Sequence, residues 1–309
     1  MKKSISDAGL CVNKVQQDTE KIFTPILLVP ILLIVGYVRF ILYNATLFEA
    51  EAAVLPYSDP FKKIWWSVPA GFSVAYLIMI TVGPRLMANR EPFQIKPYIF
   101  AYNLYQCILN AWTVYAMYHE VLTNPWFKGL WGNSPQNDSN GYRIAILVWV
   151  HYNNKFIELL DTAWMILRKK NEQVSFLHCY HHILLIWAWF FVCKFEAGGD
   201  CYFGASVNSF IHVIMYGYYT LALLNFSCPW KKWITNCQML QFMLVLTHSI
   251  YVVIKGNMPI ELPLAQGFVM INMLVLFGQF YAKSYLSKGK GNKDDKAAAP
   301  VANEPKKEK

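Results

Sequence analysis

Charge is scarce in this chain. Only 15% of its 309 residues are Asp, Glu, Lys or Arg, against roughly 25% in an ordinary soluble domain. The seven cysteines, at 11, 107, 179, 193, 201, 228 and 237, form no C-x-x-C pair. No internal repeat and no separate soluble domain stand out. These absences exclude a soluble enzyme, a disulfide-stapled secreted scaffold and a disordered protein. What fills the space is apolar: 55% of residues are hydrophobic and 16% aromatic. The mean hydropathy is +0.26. Such a composition belongs to an all-α polytopic membrane protein. Most cysteines fall in apolar stretches, where Cys is a small buried hydrophobe.

Eight segments are long enough to cross a bilayer: about 22–43, 64–82, 97–122, 143–167, 176–195, 202–226, 233–254 and 263–286. In lipid every backbone amide needs an internal partner, so these spans must be helices. Short connections predict that neighbours pack as antiparallel pairs. The first segment holds Pro25, Pro30, Gly36 and Arg39. It lacks a convincing cleavage site and is read as a retained span.

The formal charge of +9 sits largely in loops and a tail, which points to membrane orientation rather than nucleic acid. One set of loops holds Arg85, Arg90, Lys96, Arg168, Lys169, Lys170, Lys231 and Lys232, and the tail after 282 adds a run of lysines. The opposite set (44–63, 123–142, 196–201, 255–262) holds only Lys62, Lys63, Lys128 and Lys255. The positive-inside rule assigns the first set, and the C-terminus, to the cytosol. Asn137-Asp138-Ser139, a glycosylation sequon, lies in the opposite, lumenal set. The expected organisation is a cytosolic leader (1–21), an extra span with its lumenal loop (22–63), a membrane domain (64–286) and a disordered basic tail (287–309). The tail ends Lys306-Lys307-Glu308-Lys309, which reads either as a dilysine return signal to the endoplasmic reticulum or as a solvated basic end.

Polar residues inside spans are costly and normally face a bundle interior. The fourth segment carries Lys155, Glu158, Asp161 and Thr162 near one helical stripe, and Lys155 can pair with Glu158 along it. The fifth opens with His178, Cys179, Tyr180, His181 and His182. Metal binding and nucleophilic chemistry are both open to such a cluster. The sixth places Asn208, His212, Tyr216 and Tyr219 on one face, together with Met215 and Tyr218. The seventh starts with Thr235, Gln238 and Gln241 at helical spacing; interhelical hydrogen bonding alone would also explain them. His119, His151 and His248 stand alone and read as structural. Most of these polar groups gather toward cytosolic helix ends, with apolar helix beyond. That arrangement suits an amphiphile whose charged head enters from the cytosol and whose hydrocarbon tail runs inward.

Two chemistries fit clustered imidazoles. A membrane di-iron oxygenase needs about eight histidines, as that family's pattern implies, and this chain has seven in all. Acyl transfer fits better: a neutral imidazole attacks a thioester and holds the acyl group. It needs a partner to fix its tautomer and take up a proton. A transporter or receptor path lined by His and Gln is the competing class, though neither repeats nor broken helices mark one.

Lys155-x-x-Glu158-x-x-Asp161-Thr162, His178-x-x-His181-His182, Asn208-x-x-x-His212-x-x-Met215-Tyr216-x-Tyr218-Tyr219 and Thr235-x-x-Gln238-x-x-Gln241 together resemble the motif set of the ELO family, the very-long-chain fatty acid elongases or 3-oxoacyl-CoA synthases. The resemblance covers roughly 64–286. It implies condensation of acyl-CoA with malonyl-CoA to a 3-oxoacyl-CoA two carbons longer, with release of CO2 and CoA. It implies a six-helix barrel plus one peripheral span, so one or two peripheral N-terminal helices here, in the endoplasmic reticulum membrane. No metal or redox cofactor is implied. The implied partners are the 3-oxoacyl-CoA reductase, 3-hydroxyacyl-CoA dehydratase and enoyl-CoA reductase of the cycle; homo-oligomerisation stays open.

By this resemblance His181 is the expected acyl acceptor within the His178–His182 box, with Cys179 the rival nucleophile. His212 would act as base or grip the 3-oxo product, and Asn208 and Asp161 would orient imidazoles. Lys155, Gln238 and Gln241 would hold CoA phosphates or the malonyl carboxylate, and Glu158, Tyr216 and Tyr219 would complete the substrate site. Asn154 stands where members often carry a small hydroxyl residue, with little consequence expected. The run Gln173–His178 resembles members that extend polyunsaturated chains, so C18–C20 polyunsaturated acyl-CoA is the expected substrate and saturated or monounsaturated chains the runner-up.

Overall fold

The computed structural model describes residues 65–136 and 139–286, with Arg39 besides. The expected span 22–43 (Arg39 apart), the loop 44–63, the sequon at Asn137 and the tail 287–309 lie outside the described residues. Within them the chain is helical throughout, with no strand: α1 Ser67–Met87, α2 Lys96–Thr123, α3 Ser139–Glu158, α4 Leu160–Leu167, α5 Phe176–Phe195, α6 Cys201–Leu223, α7 Lys231–Lys255 and α8 Glu261–Tyr281. A 3₁₀ turn at Asn171–Gln173 precedes α5, and a π-type turn at Ala282–Leu286 continues α8.

Local chemistry explains the ends. Pro97 sits in the first turn of α2, where a missing N–H costs nothing. Ser175 caps α5 by accepting from the His178 amide at 3.3 Å. α7 stops at Gly256, whose φ of 65° is the left-handed conformation that glycine adopts without penalty. The segment expected as one helix over 143–167 is instead two. At Leu159 the amide reaches back only to Phe156 O, at 3.3 Å, a tightened turn that re-aims the helix. Glu158 closes α3, and Asp161 opens α4.

Among the described residues, four helices are long and apolar enough to cross a membrane: Ser67–Met87, Phe176–Phe195, Lys231–Lys255 and the run Glu261–Leu286. The other long helices, α2, α3 and α6, are diluted by polar side chains. Those side chains are the ones that turn inward: Asn103, Gln106 and Asn110 of α2, Asn154, Lys155 and Glu158 of α3, and Ser206, Asn208, Ser209 and His212 of α6 are all buried. Outward lie Val74 and Ile78 of α1, Met243 and Ile254 of α7, and Phe268 and Val275 of α8, all exposed. A polar interior under an apolar exterior is the distribution expected of a multi-pass membrane protein.

Helix contacts run α2 to α6, α6 to α7, α7 to α8, α8 to α5, α5 to α3 and α3 back to α2, a closed cycle of six; α3 also touches α6, and α1 packs on α4 and α5. Sequential pairing holds strongly for α7 with α8. The chief partner of α2, however, is α6 rather than α3. One end of the bundle carries the loops 88–95, 168–175 and 224–230, with Arg90, Arg168, Lys169 and Lys170 in the first two and Lys231 and Lys232 opening α7 just after the third. At the other end Asp200 accepts from the amides of Gly132 (2.8 Å) and Asn133 (2.9 Å) and from Asn257 Nδ2 (3.2 Å). Gly199, at φ 54°, lets Asn133 O approach to 2.6 Å of where a Cβ would stand, so that loop closes only over glycine.

Candidate active site

The centre of the site is a buried ion pair on one turn of α3. Lys155 Nζ donates to Glu158 Oε1 at 2.8 Å and Oε2 at 3.1 Å. The two residues are 1% and 0% exposed. Burying two charges is expensive, and mutual attraction offsets the cost only when further hydrogen bonds complete the set. Here α6 and α3 itself complete it, and α2 braces the set through Asn154. Lys155 also donates to Asn208 Oδ1 at 2.9 Å. Asn154 Nδ2 donates to Glu158 Oε1 at 3.1 Å and to Gln106 Oε1 at 2.9 Å. His212 brings Nδ1 to 3.2 Å from Glu158 Oε1, with its ring turned off the line of a hydrogen bond.

A second branch starts at the helix break. Tyr216 Oη donates to Asp161 Oδ2 at 2.7 Å. The Tyr216 hydroxyl lies 3.4 Å from that of Tyr102, which accepts from Gln106 Nε2 at 3.4 Å. Gln106 therefore joins the Asp161 branch to the Glu158 branch, and Asn110 Nδ2 donates to the Gln106 carbonyl at 2.8 Å. Gln106 and Asn110 form a polar ladder along α2.

The histidines of α5 have distinct surroundings. His178 Nε2 lies 2.7 Å from Thr162 Oγ1. The His182 ring packs edge-on against both His178 and His181, at 4.5 and 5.4 Å between centroids. His181 makes no hydrogen bond among the described residues. It lines a narrow cavity of about 30 Å³ together with Asn208, Gln241 and Gln266, and apolar groups including Leu185, Trp189 and Phe242. That is room for about a water molecule. Cys179 is not in this lining; it lies against Tyr76 of α1.

The residues singled out from the sequence largely converge. Lys155, Glu158, Asn208 and His212 form one network; Asp161 and Tyr216 form its second branch; His181, Asn208 and Gln241 share the cavity. Gln238 Nε2 instead meets Met215 Sδ at 3.0 Å. Tyr219 is 40% exposed and touches the site only through its ring, 5.9 Å from that of Tyr216. Asn154, expected to matter little, bridges Gln106 and Glu158. Gln106, Tyr102 and Tyr76 were missed altogether. For α2 the signal was available: Asn103, Gln106, Asn110 and Thr113 recur at helical spacing in an apolar segment. The lone histidines are packed: His151 Nδ1 lies 2.9 Å from Ser209 Oγ, and His248 Nε2 is 3.6 Å from Asp200 Oδ2.

Fold and site thus define a multi-pass helical membrane protein with a buried imidazole, carboxylate and amide centre opening on an apolar cavity. Residues 60–293 match the ELO family, described as the GNS1/SUR4 family, and the chain belongs to it. It is similar to proteins named very long chain fatty acid elongase 5. It is 37% identical to that of Xenopus tropicalis over 227 residues, 70% of this chain and 75% of the relative. To that of Homo sapiens it is 37% identical over 232 residues, 72% of this chain and 76% of the relative. To that of Xenopus laevis it is 36% identical over 245 residues, 74% and 81% of the two chains.

Proposed function

We propose that this protein is the condensing enzyme of fatty acid elongation, a very-long-chain 3-oxoacyl-CoA synthase, and that it works through an acyl-imidazole on His181. One observation carries the reading: His181 is the imidazole that opens onto the cavity, while His178 and His212 face Thr162 and Glu158. Family membership and the elongase relatives support the reaction class.

In the first step neutral His181 attacks the thioester carbon of acyl-CoA. The C–S bond breaks, the thiol leaves with a proton, and the acyl group rests on the ring nitrogen. In the second step malonyl-CoA loses CO2, and the electron pair released forms the thioester enolate. That carbon attacks the acyl-imidazole; the C–N bond breaks, the departing ring nitrogen takes up a proton from water, and neutral His181 is restored. The product is a 3-oxoacyl-CoA two carbons longer. Asn208 and Gln241, in the same cavity, supply amide N–H groups to the developing oxyanion. His212, beside Glu158, is suited to take up a proton or to hold the 3-oxo group. Lys155 serves as the fixed cation that orients Asn208.

The same proposal assigns the six-helix cycle to a barrel around the acyl chain, with α1 as a span outside it. The basic loops face the cytosol and meet the CoA phosphates, in the endoplasmic reticulum membrane. C18–C20 polyunsaturated acyl-CoA is the preferred substrate in this reading; the relatives are named for very long chains and not for unsaturation. The reductases and dehydratase of the elongation cycle consume the product.

The test is turnover of radiolabelled malonyl-CoA by purified protein. Wild-type protein and Cys179→Ala release CO2 and form labelled 3-oxoacyl-CoA; His181→Ala does neither. Full turnover by His181→Ala with none by Cys179→Ala transfers the role to the cysteine. No malonyl-dependent CO2 release from the wild type favours the transporter class. Feeding a fatty acid panel to an expressing host and reading products by gas chromatography tests the substrate preference.

A further inference from the structure

α1 lies outside the cycle of six helices, yet one of its side chains reaches the histidines. Tyr76 is 1% exposed, and its hydroxyl lies 2.8 Å from Thr162 Oγ1. The same Oγ1 lies 2.7 Å from His178 Nε2. The Tyr76 ring also stands 6.0 Å from that of His182. Three helices, α1, α4 and α5, thus meet in one chain of polar contacts.

The direction of that chain follows from counting protons. A threonine hydroxyl has one proton to give and two lone pairs to accept with. Tyr76 and His178 are the hydrogen-bond neighbours of Thr162 Oγ1 among the described residues, so Thr162 donates to one and accepts from the other. Tyr76's other polar neighbour is the Cys179 thiol. Sulfur accepts weakly, and a hydroxyl oxygen accepts well, so the phenol proton goes to Thr162. Thr162 then donates to His178 Nε2. His178 is therefore held with its proton on Nδ1, and its Nε2 is closed to substrate. Its ring meets His182 edge-on, and His182 in turn meets His181.

We propose that Tyr76 is a positioning residue of the condensation reaction: through Thr162 it fixes the tautomer and tilt of His178, and so the packing of the histidine box in which His181 stands. The inference rests on the elongase reading above. It makes the outer helix a working part of the active site and not merely a membrane anchor.

The experiment uses the full chain, purified in detergent, with Tyr76→Phe, Thr162→Val, Thr162→Ser and the Tyr76→Phe/Thr162→Val double variant. Tyr76→Phe lowers kcat by roughly ten- to a hundredfold, the scale of a displaced reacting group, with KM for malonyl-CoA unchanged. Thr162→Val does the same, and Thr162→Ser, which keeps the hydroxyl, retains wild-type kcat. The double variant is no slower than Thr162→Val, because both cut one path. Wild-type kcat in Tyr76→Phe, or losses that multiply in the double variant, overturn the proposal. So does a loss that disappears when the assay is run well below each variant's melting temperature, since that marks a purely structural role. A readout independent of turnover is the ¹⁵N spectrum of histidine-labelled protein, with His178 assigned by difference from His178→Gln. His178 protonated on Nδ1 in the wild type and redistributed in Tyr76→Phe is the expected result; Nε2 protonation in the wild type overturns the proposal. If wild-type protein turns over, His181→Ala does not and Tyr76→Phe is normal, the elongase reading stands and this inference alone fails.

Discussion

Lys155 meets both oxygens of Glu158, at 2.8 and 3.1 Å, where neither residue is more than 1% exposed. The pair is one helical turn in length, and its further hydrogen bonds come from Asn208 of α6 and Asn154 of α3 itself. Removing one partner leaves an uncompensated charge, a loss of about 3–5 kcal/mol. Lys155→Met and Glu158→Leu should each lower the melting temperature in detergent sharply. The double variant should recover most of that stability, since apolar replacement of a buried pair is often neutral, yet remain inactive. Stability recovered together with turnover would show that the pair serves folding alone.

A second expectation concerns the helix break. Tyr216 donates to Asp161 at 2.7 Å from a fully buried position, and losing a hydrogen bond to a buried carboxyl costs about 1.5–3 kcal/mol. Tyr216→Phe should lower stability by that order and reduce kcat. Tyr219→Phe should do neither, because the Tyr219 ring is 40% exposed and meets Tyr216 only edge-on. Thermal unfolding and initial rates of both variants decide this.

The far part of the cavity gives a third. A Cβ on Gly204 would run into the amide of Gln266, and both residues line the cavity. Gly204→Ala should push that amide inward and shift products toward shorter chains. Gly204→Ala/Gln266→Ala should restore length. An unchanged product profile by gas chromatography contradicts a path for the acyl chain along Gly204 and Gln266.

Much of the site was legible because it lies along single helices. Lys155 and Glu158 are three residues apart, and the His178–His182 box is one turn, so spacing alone brings them together. The chain-distant links were not legible. Asn154 meets Gln106 across 48 residues and Thr162 meets Tyr76 across 86, and periodicity says which face is polar but not which helix it meets. The break at Leu159 was hidden for a related reason. No Pro or Gly marks it. The packing of α2 on α6 was not legible because short loops point only to neighbours in the chain, and these two helices are far apart in sequence.

The opposite end of the bundle carries a pH expectation. Burial pushes the Asp200 carboxyl up, but the His248 ring 3.6 Å away and hydrogen bonds from the Asn133 and Gly132 amides outweigh it and hold the group below the ordinary carboxylate range. A carboxyl depressed in the folded state contributes stability that is complete above its unfolded value, about 3.9, and is lost as pH falls through the folded value. Melting temperature should therefore be insensitive to Asp200 near neutrality and drop in the acid limb below about pH 4. Asp200→Asn should lower stability at pH 7 and flatten that limb. An acid limb equally steep in the variant would assign it to other carboxyls.

The central claim is a covalent histidine, and the most direct measurement is mass spectrometry of protein quenched with acyl-CoA and without malonyl-CoA. The account predicts an acyl mass on the peptide containing His178 to His182, localised to His181 and discharged when malonyl-CoA is added. An adduct on Cys179, or no adduct under conditions where 3-oxoacyl-CoA accumulates, would contradict it.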